Sequence, residues 1–405
     1  MKGPIQGVRS ADLPGYRNLG PIYEWVEGDT YLIIDRVAHG HAEGAVLCYC
    51  NPPVHQVGNP GLDAYLEGLA RVSDQRGELG FLVLYGSNDP VHAGGDLKES
   101  LNRLDATLEA RKEKEAAGAP PEEIDRLYDW ADARIEKGIA LHGAVRDLAR
   151  DLRVVAICGG GTRYGGSAEI PLMADYLVGD SRSGMCFSES MIGLIPGWGG
   201  IARALVKAGP ANAAFMAKTG REVKAPQLLR MGIYNVVVEV PLPFPRKERT
   251  DDPAADKARF LDALAEHDRE TGRRVLPEGL TIATCPREEI PGVSPGERDV
   301  PAPEQEIEEE VARRKDPETY AALRGKPLKE VKEEIGRLGR PLAPQSVGAL
   351  EGLLRGVDPV SFDERDFVRK EAEADCRLYR DPRFRAGLTA TLGQTVADFR
   401  VQVEV

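Results

Sequence analysis

Two glutamates in glycine-rich surroundings are the residues of this chain best suited to chemistry. Glu169 lies in Arg163-Tyr164-Gly165-Gly166-Ser167-Ala168-Glu169-Ile170, and Glu189 in the stretch from Phe187-Ser188-Glu189 through Ile195-Pro196-Gly197-Trp198-Gly199-Gly200. Glycine lets a ligand approach main-chain N–H groups that a Cβ would shield. Two carboxylates facing one cavity can divide acid and base work. Together they point to proton transfer on a substrate whose oxygen is held by backbone donors.

The elements that must position them are legible as short apolar runs. Tyr31 to Val37, Ala45 to Cys50, Phe81 to Tyr85 and Val154 to Cys158 read as strands, the last running into Gly159-Gly160-Gly161. Leu62, Tyr65, Leu66, Leu69 and Val72 recur at helical spacing. Residues 100–150 predict three helices, broken at Gly118 to Pro121 and near Gly138. Residues 201–217 and 224–231 predict two more, and Asn235 to Val240 a strand. From Pro241 the chain turns polar and proline-punctuated, at Pro241, Pro243, Pro245, Pro286, Pro291, Pro295, Pro301 and Pro303, with Glu304 to Arg314 a charge-rich helix candidate. Helical patterning returns at Ser346 to Leu353 and Phe362 to Leu392. No fixed-period repeat is present.

Composition narrows the classes. The chain has 405 residues, 42% of them apolar, enough for a core of two or three domains or one enlarged domain. A net charge of −12 provides no global field for nucleic acid or an anionic membrane, so neither is an expected partner. Met1-Lys2-Gly3-Pro4 is followed by no apolar stretch, no run approaches bilayer length, and six scattered cysteines suit a reducing compartment. A cytoplasmic protein is expected. His39, His41, Cys48 and Cys50 lack the paired spacing of a zinc module, so no metal is expected. Gly197-Trp198-Gly199-Gly200-Ile201-Ala202 fits a dinucleotide-binding pattern, but Pro196 blocks the strand that would lead into it. No G-x-S-x-G elbow supports a serine nucleophile. Asp96 and Asp175 are expected to cap or pair, and His92 to pack in its loop. Tyr164 and Cys186 lie near the motifs without an assigned role.

Four segments together resemble the crotonase superfamily, the enoyl-CoA hydratase/isomerase fold. They are His92-Ala93-Gly94-Gly95-Asp96-Leu97-Lys98-Glu99; Gly165-Gly166-Ser167-Ala168-Glu169 with Asp175 downstream; Phe187-Ser188-Glu189 through Gly200; and Thr219-Gly220 with Ala225, Gly232 and Val236. Residues 381–388 are similar to a C-terminal helix of such proteins. The chain departs from the family pattern at Ser167, Ala168, Ser188 and the bulky Trp198, and in a long polar stretch.

The resemblance implies an α/β protein: a spiral of ββα turns with a C-terminal helical trimerisation region. Residues 1–240 would form the spiral core, with a helical insertion at about 101–150. Residues 241–344 would be an insertion or linker, and 345–405 the helical region. It implies an acyl-CoA substrate, coenzyme A entering only as part of it, and a homotrimer or dimer of trimers. The amides of Gly95 and Gly166 would hold the thioester oxygen. Glu169 would orient and deprotonate water, and Glu189 would protonate the α-carbon. Ala93, Gly94, Asp96, Leu97, Lys98, Gly165, Pro196, Gly197 and Trp198 would line the CoA and acyl sites. Hydration of an enoyl-CoA is the favoured reaction. Ring-opening or thioester hydrolysis of an (oxo)acyl-CoA and double-bond isomerisation are same-fold alternatives, and a non-catalytic binding protein is the rival class.

Overall fold

A computed structural model describes residues 16–86, 91–239, 255, 276–286, 289–290, 298–358 and 361–400. Met1 to Pro4 and the prolines at 241, 243, 245, 291 and 295 lie outside the described residues. The chain divides into two compact units. The first comprises Met1–Gly94, Leu141–Met185 and Glu222–Asp299; the second comprises Gly95–Ala140, Cys186–Arg221 and Val300–Val405.

The first unit is built on two sheets. β1 (Arg17–Glu27), β2 (Thr30–His39) and β3 (Ala42–Cys50) form an antiparallel meander. After α1 (Asn59–Asp74), the strands β4 (Phe81–Gly86), β6 (Arg153–Cys158), β8 (Tyr176–Asp180) and β11 (Val236–Val238) extend the sheet in parallel, in the order β1-β2-β3-β4-β6-β8-β11. A second sheet of very short strands, β5 (Val91–His92), β7 (Thr162–Tyr164), β9 (Gly184–Cys186) and β10 (Val223–Lys224), runs in the order β10-β9-β7-β5. Each turn of chain therefore gives one strand to the large sheet and the next to the small one. This is the expected spiral, and its parallel pairings need long crossovers.

Both faces of the large sheet are covered. Leu32, Ile34, Leu47, Leu82 and Leu84 are buried, as are Leu62, Tyr65 and Leu69 of α1. On the other face Ile33, Val46, Val83, Val155, Ile157 and Val178 pack with Leu276, Leu280 and Ile282 of a helix, α9 (276–284). A side chain at Gly279 would press on Ile157, so glycine lets α9 lie close to the sheet. Arg153 ties the end of α9 down by donating to the carbonyls of Ile282 and Cys285. Each fully buried aliphatic side chain here stabilises the fold by about 1.5–3 kcal/mol.

The second unit is mainly helical: α2 (Leu97–Ala116), α3 (Pro121–Asp125), the first part of α4 (Asp129–Leu148), α6 (Gly200–Ala208), α7 (Pro210–Thr219), α10 (Glu304–Lys315), α11 (Lys332–Leu338), α12 (Pro344–Leu354), α13 (Glu364–Tyr379) and α14 (Pro382–Leu392). Two short helices of the first unit, α5 (Gly166–Leu172) and α8 (Ala225–Arg230), complete the set named here. Arg380 fastens α13 to the start of α4 by a fork onto Asp132, at 2.8 and 2.9 Å, and a third bond to Asp125. That guanidinium holds the Asp132 carboxyl below the usual range.

Three boundaries differ from the sequence reading. The helix predicted to end near Gly138 continues, because α4 runs unbroken through that glycine. Gly138 serves packing rather than termination: a Cβ there would overlap the indole of Trp198. Gly138→Ala is expected to cost about 1–3 kcal/mol by overpacking, measurable by urea unfolding. The helix predicted over 201–217 is instead two, α6 and α7, divided at Gly209 (φ +82°) and Pro210, where proline has no N–H to continue the ladder. The stretch 362–392 likewise splits at Asp381-Pro382, with Asp381 capping α14.

Candidate active site

In the first unit the site grows from the ends of parallel strands. β6 runs into the glycines at 159–161, and Gly160 donates its N–H to Asp180, which is fully buried. After β7, Gly165 takes φ +52° and ψ −132°, a conformation open to glycine, and α5 starts at once. The carbonyl of Gly165 accepts from the amides of Ala168 and Glu169. The amides of Gly166 and Ser167 belong to the first turn, where no intrahelical acceptor exists.

Gly94 lies against this turn. A Cβ on Gly94 would stand 2.7 Å from Tyr164 O, 3.0 Å from Gly166 N and 3.2 Å from Gly165 Cα. The two glycine segments therefore meet backbone to backbone, and Ser167 Oγ donates to Ala93 O at 3.0 Å. Ser167 departs from the family's glycine pattern, and the structure gives it this bracing bond. Glu169 is 3% exposed and sits in the first turn of α5, where the helix dipole favours a carboxylate. At 100° per residue it lies about 160° around α5 from Ser167 and Pro171 and about 100° from Ile170. Those three residues line a cavity of about 60 Å³ together with Tyr49, His55, His92 and Arg163.

In the second unit Asp96 caps α2 by accepting the amide of Glu99 at 2.9 Å, as its position implied. Leu97 is partly buried and Lys98 is exposed. Gly95 lies under the guanidinium of Arg134: a Cβ there would be 2.6 Å from Nη2. Arg134 is buried and also covers the Trp198 ring at 5.6 Å, with Glu99 3.9 Å away. The sequence reading missed Arg134, since charged residues on a helical repeat read as a solvated face. The companion signal was Gly138, one turn on along the same helix.

Glu189, 7% exposed, opens a single 3₁₀ turn (Glu189–Met191), and its carbonyl accepts the amides of Ile192 and Leu194. The loop that follows is pinned by α13. Asp375 Oδ1 accepts the Ile195 amide at 3.0 Å, and Gly197 packs so close to Asp375 that a Cβ would be 3.1 Å from its Cβ. Glu371 accepts the amides of Ile201 and Ala202, both at 3.2 Å, capping α6. Trp198 is buried between Gly138 and Arg134 rather than solvent-facing. Phe384 presses its backbone on Gly193, which holds φ +95°.

Thus Ala93, Gly94, Gly165, Gly166 and Glu169 gather in the first unit. Gly95, Asp96, Leu97, Lys98, Glu189, Pro196, Gly197 and Trp198 lie in the second. Asp175 pairs with Arg146 at 2.9 Å, and His92 is buried against His55. Cys186 bonds the Gly220 carbonyl. Among the described residues, no group of three or more His, Cys, Asp or Glu side chains is arranged to hold a metal. None of their helices is long and apolar enough to cross a membrane.

A strand-alternating spiral followed by C-terminal helices is the crotonase fold. An enoyl-CoA hydratase of Rhodobacter sphaeroides 2.4.1 superposes with a TM-score of 0.51 over 86% of each chain, at 16% identity. Residues 136–243, which include both glutamates, match the family model described as enoyl-CoA hydratase/isomerase. A carnitinyl-CoA dehydratase of Proteus mirabilis (strain HI4320) is 32% identical over 123 residues, 30% of this chain and 47% of that protein. The fatty acid oxidation complex subunit alpha of Idiomarina loihiensis is 31% identical over 152 residues, 36% of this chain and 21% of that protein. The chain thus spans about half the length of the first of these relatives and less of the second. It is similar to the enoyl-CoA hydratase/isomerase family over residues 136–243, and its fold is the crotonase fold.

Proposed function

We propose that this protein processes acyl-CoA thioesters and adds water across an α,β-unsaturated acyl group. The observation that carries the reading is the apposition of Gly94 and the first amide of α5, with Glu169 buried in the same helical turn. The amides of Gly166 and Gly95 hold the thioester oxygen. Donors set in place before enolate charge develops need no reorganisation when it does. Glu169 takes a proton from water as its oxygen bonds to the β-carbon, and Glu189 gives a proton to the α-carbon. The sum is redox-neutral and needs no cofactor beyond the CoA already on the substrate. Ala93, Gly94, Asp96, Leu97 and Lys98 line the CoA path; Gly165, Pro196, Gly197 and Trp198 bound the acyl end.

The test is mass spectrometry of linear and cyclic enoyl-CoAs after incubation in heavy-oxygen water. A CoA ester gaining one labelled water, with its carbon chain or ring intact, is the expected result. Free CoA with a labelled acid would replace hydration by thioester hydrolysis, a labelled ring-opened chain by C–C hydrolysis, and unchanged mass with altered retention by isomerisation.

A further inference from the structure

The segment 92–94 is held from behind by a turn that the proposed chemistry does not use. Asn51, next after β3, organises this turn. Its Oδ1 accepts from Thr30 at 2.8 Å, and its Nδ2 donates to Gln56 O at 2.7 Å. Tyr49 donates to the same carbonyl at 2.7 Å. The Asn51 amide donates to His55 Nδ1 at 3.1 Å, which places the proton of a neutral His55 on Nε2. The turn then grips the glycine segment on both flanks: Ala93 N donates to Val54 O at 2.8 Å, and Val57 N donates to Gly94 O at 2.9 Å.

His55 is the centre of this device. It is 2% exposed and adopts φ +52°, a left-handed conformation that is uncommon for a residue with a Cβ. That backbone turns its ring onto His92, with centroids 5.1 Å apart and planes 32° apart. Both rings border the cavity of about 60 Å³. Its lining includes His92 and Ser167, the chain neighbour and the hydrogen-bond partner of Ala93, so the cavity adjoins this segment and gives it space to shift.

We infer that the His55–His92 stack is a brace that keeps the Ala93–Gly94 segment out of the cavity and its neighbouring amide donor in register. The inference rests on the oxyanion reading given above. His55 and His92 are positioning residues and take no proton in the reaction. A 1 Å displacement of a catalytic donor costs up to about 100-fold in rate. The brace is therefore expected to matter for kcat and little for affinity.

Three variants test it. His55→Gly removes the ring yet suits the left-handed backbone, so the fold is retained, with a thermal midpoint within about 3 °C of wild type. Its kcat is expected to fall about 10- to 100-fold with KM within about threefold. His92→Ala should match it, whereas His92→Phe, which keeps a ring against His55, should stay within about threefold of wild type. The second readout is the thioester carbonyl stretch of a bound, unreactive acyl-CoA, measured by Raman difference spectroscopy. Wild type should shift it to lower frequency, and His55→Gly should lose a large part of that shift. A wild-type shift that survives intact in His55→Gly and His92→Ala, with kcat unchanged, overturns the brace alone. Equal losses in His92→Phe and His92→Ala overturn it too, and make the imidazole itself the active group. No carbonyl shift in wild type overturns the oxyanion reading, and the brace falls with it.

Discussion

On the proposed hydratase reading, Glu169→Gln is expected to lower kcat for enoyl-CoA hydration by about 10²- to 10⁴-fold, the usual range for losing a general base, while KM and the unfolding midpoint stay near wild type. Glutamine keeps the shape of a side chain that is 3% exposed, so no cavity opens in α5. It removes only the ability to accept a proton. The competing account is that Glu169 is a helix-start carboxylate stabilised by the dipole of α5. That account assigns the residue about 0.3–1 kcal/mol of stability and no kinetic role. The two accounts therefore move different observables. Activity within tenfold of wild type with a lowered unfolding midpoint would retire the catalytic role. A companion Glu189→Gln variant separates reactions: the proposed water addition uses both carboxylates, so either change alone should slow incorporation of heavy oxygen by a comparable factor.

What the sequence made legible was whatever has a period or a turn signature. β2, β3, β4 and β6 announced themselves because each is a run of apolar residues long enough to cross a buried sheet. The glycines of the two motifs were legible because few other reasons place so many side-chain-free residues beside a glutamate. β1 was missed because it is mostly exposed and carries Gly20 and Pro21 where the register shifts, so it shows no alternation. The small sheet was invisible for a different reason. Its strands β5, β7, β9 and β10 are two or three residues long, below any window in which period can be counted. Gly138 misled because a glycine that admits an indole and a glycine that stops a helix are spelled the same way. Arg134, His55 and the α13 carboxylates were missed for one shared reason: a charged or polar residue is assigned to solvent by default, and only tertiary structure shows it buried against backbone.

Glu371 makes the strongest case for that last point, and Glu371→Ala is expected to cost about 2–4 kcal/mol in urea unfolding while leaving CoA affinity of the surviving folded fraction near normal. The side chain is fully buried, and both its oxygens accept backbone amides at the start of α6, from Ile201 and Ala202. A helix start leaves amides without partners, and burying one unpaired costs about 1–3 kcal/mol. The favourable alignment of a carboxylate with the N-terminal end of α6 is lost as well, up to about 2 kcal/mol in buried geometry. Glu371→Gln restores one acceptor and no charge, so it should recover part of the loss. Full recovery would mean that the hydrogen bond alone matters, and none would mean that the charge does. Asp375, one turn later on α13, accepts the Ile195 amide of the same loop, so the double variant should lose less than the sum of the single losses. Strict additivity would break the claim that α13 holds the loop after Glu189 as one unit.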